Sequence, residues 1–177
     1  MTIDIHNSNI REIAKAYDLE IEENGIRYLE ELVQNHPVRS DMLIQALCRH
    51  KQIRDVELIR ENLERFVNES LFAIPPYVVL GHVCLHYGIQ ESILKSVTRD
   101  QRVYNARLSA VYLLRIYSQQ CFPSVGYLLH RDSHLAADML QIAKQRMSSD
   151  EDFCSNIQQL ASRITTIAFR QYIAAFE

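Results

Sequence analysis

Glycine and proline are scarce in this chain, with four of each among 177 residues. Both interrupt helices, proline by lacking an N–H donor and glycine by its excess backbone freedom. Their rarity, with helix formers throughout, makes all-α the expected fold class. Long apolar runs are missing as well. None approaches the roughly 20 residues that span a bilayer, so no membrane partner is expected. The first residues carry no basic-then-apolar targeting pattern. Cys48, Cys84, Cys121 and Cys154 have no paired spacing and fall within apolar stretches, which fits reduced, buried thiols in a cytoplasmic protein. No phosphate-cradling GxxxxGK(S/T) loop occurs, and no serine, cysteine or carboxylate pair lies where a nucleophile or base would be activated. The expectation is a protein that is not an enzyme and needs no cofactor.

What is present is an ordinary globular balance, 47% apolar and 23% charged, with net charge −3. The charge is unevenly spread. Residues 1–74 hold 9 Lys/Arg against 14 Asp/Glu, whereas residues 75–177 hold 10 against 8. Pro75 and Pro76 cannot continue a preceding helix and mark the expected boundary. The division is then an acidic helical bundle, 1–74, followed by a weakly basic domain, 75–177. A weak basic stripe on an acidic protein predicts modest, salt-sensitive binding to a polyanion, although a solvated charged face would look the same.

The stretch from Ser96 to Met147 is the most informative. Arg99, Arg102 and Arg107 crowd the approach to an amphipathic helix reaching about Gln119. Pro123 opens a short helix, where its missing N–H costs nothing, and Gly126 is small enough for two helices to cross closely. A polar turn, His130 to Ser133, leads into a last helix with Ala136, Met139, Ala143 and Met147 at helical spacing. A trihelical unit of this kind offers one helix to a major groove while flanking arginines hold phosphates.

These residues resemble the C-terminal DNA-binding domain of DnaA, the bacterial chromosomal replication initiator. The resemblance is carried by Ser96 and Arg99, by Val103, Arg107, Ala110, Val111 and Leu113, and by Phe122 through Gly126. Arg131 and Asp132 follow, with His86 through Ile89 upstream and Glu151 through Phe153 and Leu160 downstream. It covers roughly residues 78–164. It implies a helix-turn-helix fold, double-stranded DNA as partner, and a role in replication initiation control or transcriptional regulation in the nucleoid. The implied contacts are Arg99, Arg102, Arg107, Arg115 and Arg131, with Ser133 and His134 at the start of the recognition helix. Two departures imply altered sequence specificity: Leu108 stands where the family has glutamine, and Ser133-His134-Leu135 stands where it has His-Thr-Thr. Aligning without a gap would instead put His134 on the family's histidine. The gapped register is preferred because it places Ala136, Met139, Leu140 and Ala143 on buried positions.

The N-terminal region resembles the same family's lid subdomain more faintly, through Ala16, Leu19 to Ile21, Tyr28, Leu29, Ser40 to Leu43, Ala46 and Leu47. There Asp41 takes the place of a nucleotide-sensing arginine, so no nucleotide is expected to bind. Helices are expected at 10–17, 22–35, 41–50 and 54–71, the last with Val56, Ile59, Leu63 and Val67 inward. Ser148 and Ser149 are the expected caps of a final helix. Its end carries an apolar stripe, Ile164, Ile167, Ala168, Tyr172 and Ile173. That stripe has to be covered by the N-terminal bundle or by a second copy, and a homodimer is preferred. His82, Cys84 and His86 invite a metal reading, but Cys84 points off the shared helical face, so no metal is expected. His130 and His134 are read as DNA-facing. The competing class is a protein-interaction adaptor, docking through the acidic bundle or last helix and keeping the helix-turn-helix only as scaffold. Convergence of Arg99, Arg107, Arg115 and Arg131 on one face favours DNA. Scatter, or pairing with carboxylates, favours the adaptor.

Overall fold

The structure, a computed structural model, describes residues 10–35, 40–71 and 74–174, with the side chains of Asn35, Tyr172 and Ile173 outside the description. The described residues are almost entirely helical and contain no strand beyond one isolated parallel bridge, Ile21 to Leu58. The all-α expectation holds. No described helix is long and apolar enough to cross a membrane. The chain forms two compact units. One comprises the described residues of Met1–Leu71 with those of Ala161–Glu177, and the other those of Phe72–Leu160.

The first unit contains α1 (Ile10–Ala16), α2 (Glu23–Asn35), α3 (Ser40–Arg54) and α4 (Arg60–Ser70). Its core is Leu29, Leu43, Ile44, Leu47, Leu63, Phe66 and Val67, all buried. Helix α3 runs one turn past the expected end at His50, and α4 starts six residues later than the expected Arg54. The cause is local. Asp55 adopts a left-handed φ of 48°, which ends the helix, and the Leu58 carbonyl accepts the Glu22 N–H at 3.1 Å. Leu58 is buried by this pairing, so Val56 and Ile59 lie in extended chain rather than on a helix face.

The remainder of this unit comes from the end of the last helix, α10 (Glu151–Ala174). Its buried residues there are Ala161, Ile164, Thr165 and Phe169. The rings of Phe169 and Phe66 stack with centroids 6.4 Å apart and planes within 14°. The last helix thus has a cover within its own chain, which is the alternative to a second copy. The apolar side of that helix is rotated onto Phe169, and Ile164 and Phe169 are the large apolar residues buried there. Ile167 and Ala168 are half-buried, and the side chains of Tyr172 and Ile173 fall outside the description.

The second unit is built around α7 (Gln101–Ile116), against which α5 (Pro76–Tyr87), α6 (Glu91–Lys95), α8 (Phe122–Leu129) and α9 (Ser133–Ser149) pack. Helix α7 is buried over most of its surface, Leu108 included, because neighbours surround it. Pro76 sits in the first turn of α5, and Gly88 closes that helix at φ 60° in the left-handed region that glycine tolerates. The hydroxyl of half-buried Tyr87 meets that of Ser109 at 2.9 Å, which gives the buried serine a partner. The expected serine caps of the last helix are replaced by Asp150. Its carboxylate accepts the Phe153 N–H at 2.9 Å, whereas the Ser148 and Ser149 hydroxyls donate back to the Gln145 carbonyl.

Candidate nucleic-acid interface

Helices α8 and α9 are joined by a three-residue turn, His130 to Asp132. His130 takes a left-handed conformation, φ 53° and ψ 48°. The Arg131 N–H then donates to the Gly126 carbonyl at 2.8 Å, which folds the turn back over α8. A Cβ on Gly126 would lie 2.6 Å from the Arg131 carbonyl oxygen. It is this turn, rather than a crossing helix, that needs the missing side chain. Asp132 caps α9 by accepting the Leu135 N–H at 2.8 Å, and Asp100 caps α7 in the same way at Val103, 3.1 Å. The sequence reading missed both caps, although an aspartate immediately before a helix is their signal.

The inward face of α9 is Ala136, Met139, Leu140 and Ala143, all buried, as the gapped register requires. The outward face carries His134, Leu135, Asp138, Gln141, Ile142 and Gln145, all exposed. Ser133, the first helical residue, is half-buried.

The predicted arginines separate into three groups. Arg99, in the loop after α6, and Arg102, in the first turn of α7, are exposed and make no ion pair or hydrogen bond among the described residues. Arg107 is 5% exposed and donates four hydrogen bonds to main-chain carbonyls: Nε to Leu94 at 2.8 Å, Nη1 to Thr98 at 2.8 Å, and Nη2 to Ser96 at 2.6 Å and Ile93 at 3.4 Å. Arg115 lies over the Phe122 ring, 4.5 Å from its centroid, and donates to the Gln120 carbonyl. Arg107 is therefore spent on main-chain carbonyls, whereas Arg115 is half-buried and its Nε has no hydrogen-bond partner among the described residues. Arg115 is also some 20 Å along α7 from Arg102, at about 1.5 Å per residue.

Arg131 completes the arrangement. It is half-buried, and its guanidinium donates to Lys95 at 3.2 Å, His130 at 2.8 Å, and Ser96. The Ser96 carbonyl thus accepts from both Arg107 and Arg131. No carboxylate pairs with either arginine among the described residues. Burial, and then the charge of Arg131, lower the Arg107 pKa from its ordinary value. Of the four arginines whose placement separates the DNA and adaptor readings, Arg99, Arg107 and Arg131 share one loop-and-turn region, and Arg115 stands apart. None pairs with a carboxylate there.

The metal candidates do not assemble. His86 Nε2 lies 3.0 Å from the Asn156 side-chain oxygen, and no group of three or more His, Cys, Asp or Glu among the described residues is placed to hold a metal ion. Asp41, in the first turn of α3, is half-buried.

No protein-family model matches the chain, and no solved structure matches it. Similarity to curated proteins is low in identity but broad in coverage. The chain is 22% identical over 146 residues to the chromosomal replication initiator protein DnaA of Sulfurimonas denitrificans, covering 80% of this chain and 34% of that protein. It is 24% identical over 162 residues to that of Caldanaerobacter subterraneus, covering 88% and 36%. With that of Bacteroides thetaiotaomicron it shares 23% over 168 residues, covering 91% and 35%. The chain spans about a third of the length of these relatives, and its relationship is DnaA-like at low identity.

Proposed function

We propose that this chain is a non-catalytic, double-stranded DNA-binding protein related to the bacterial replication initiator, acting in replication initiation control or transcriptional regulation. The observation that carries this reading is the junction at Ser96. Through Arg131, the loop bearing Arg99 is tied to the turn that opens α9, so two unpaired cations lie on the same assembly as Ser133 and His134. Arg99 and Arg102 contact phosphate or groove edges, and His134 reads bases from the first turn of a major-groove helix. Because the Asp132 carboxylate already occupies the Leu135 N–H, anion capture falls to the arginines rather than to the helix terminus. The altered first turn gives a sequence preference different from the family's, and the initiator's own box is bound poorly. We further propose that the chain lies in the cytoplasm on the nucleoid, binds no nucleotide, and uses its acidic N-terminal unit for a protein partner.

A protein-interaction adaptor is the second reading. It is favoured by Leu135 and Ile142, 41% and 38% exposed and seven residues apart on the outward face of α9. Fluorescence anisotropy with a mixed-sequence duplex and a box duplex decides between them. The DNA reading expects binding to weaken steeply with salt. His134→Ala should change preference among sequences, and Arg102→Ala should weaken all of them alike. If neither duplex binds in roughly 50 mM salt at micromolar protein, the adaptor reading replaces it.

A further inference from the structure

Arg107 and Arg131 meet at the Ser96 carbonyl, which accepts from both. Helix α6 spans only five residues, Glu91–Lys95. Its Ile93 carbonyl accepts the Ser96 N–H at 3.1 Å and the Ser96 hydroxyl at 2.7 Å, whereas so short a helix leaves those of Leu94 and Lys95 without an internal partner. Arg107 takes those of Ile93 and Leu94, and Arg131 takes that of Lys95. Both then take Ser96, and Arg107 continues to Thr98. From Ile93 to Thr98 the main chain is therefore held by two cations, one from the middle of α7 and one from the turn before α9. Val97, at the tip of this loop, is 88% exposed, and Arg99 follows it into solvent.

Two like charges around one carbonyl, without a carboxylate, repel each other, so the arrangement has to return something. A planar guanidinium can reach several carbonyls at fixed angles, which an ammonium cannot. Resting on the DNA-binding reading, we propose that Arg107 and Arg131 are positioning residues. They set the spacing between the Arg99 loop and the first turn of α9, so that Arg99 and His134 engage one duplex together. On this view their positive charge is secondary, and what matters is the fork.

The test is a double-mutant cycle in the full chain, read by anisotropy with a labelled mixed-sequence duplex in roughly 50 mM salt. Far-UV circular dichroism and thermal unfolding check that each variant folds. Arg131→Lys keeps the charge, yet it should weaken binding about tenfold with the salt slope unchanged. Arg131→Gln should fall just as far. In an Arg99→Ala background, Arg131→Lys should cost little more, because the loop it positions has lost its contacting group. Arg107→Lys should repeat the pattern. Losses that simply add, or a lysine variant near wild type with the glutamine variant far below it, would mean that the charge itself contacts DNA and would overturn the positioning role alone. A wild-type chain that binds no duplex removes the DNA reading and this proposal with it.

Discussion

Replacing Gly126 by alanine tests whether the turn before α9 is held by backbone contact. The new Cβ would sit 2.6 Å from the Arg131 carbonyl oxygen and 3.2 Å from the Asp132 carbonyl carbon. These are main-chain atoms. They move only if the turn moves, and the turn is fixed by the Arg131 N–H on Gly126 and by the Asp132 cap. Overpacking of this kind costs up to about 3 kcal/mol. Loss of the turn hydrogen bond adds about 1 kcal/mol, and the better helix propensity of alanine returns about 1 kcal/mol. The net loss is about 3 kcal/mol, which for a domain of this size lowers the melting temperature by roughly 12–24 °C. Gly81 supplies the control, since a Cβ there meets nothing within 4 Å. Gly81→Ala should raise stability by about 0.5–1 kcal/mol. Differential scanning calorimetry of both variants gives the result. If Gly126→Ala melts at or above the wild-type temperature, the turn is not built as described.

Three further outcomes follow from the first unit. Phe169→Ala should lower the stability of that unit by about 3–5 kcal/mol in urea unfolding while light scattering shows no change in mass; a halved mass would show a homodimer through this helix. Titration calorimetry with Mg-ATP should show no heat of binding, and micromolar affinity would refute the nucleotide-free reading. Burial first, and then the charge of Arg54, lower the pKa of His50 against a smaller opposing effect of Glu69. The folded state therefore prefers the neutral ring, so stability is full above the ordinary imidazole value of about 6.5 and falls as pH drops toward the lower folded value. Urea midpoints at about pH 7.5 and about pH 5.5 should differ more for wild type than for His50→Gln; equal differences would assign the pH dependence elsewhere.

The chain order of helices was legible in the sequence because its signals are local. Pro76 and Pro123 mark helix starts, Gly88 marks a stop, and the spacing of Ala136, Met139, Leu140 and Ala143 gives the buried side of α9. The start of α4 was not legible, since the Ile21–Leu58 bridge that displaces it joins residues far apart in sequence. The covering of the last helix was equally hidden, because Phe169 and Phe66 meet only through the folded bundle. At the candidate site, residue type pointed to a basic region, and it could not say which arginines were free. An arginine in solvent and an arginine spent on four carbonyls are the same letter. Only the tertiary structure separates Arg99 and Arg102, which lie in solvent, from Arg107, which the fold consumes. Hydrophobic period and turn chemistry are written along the chain, whereas the partner of a long charged side chain is decided by whichever carbonyls or rings folding brings within its reach.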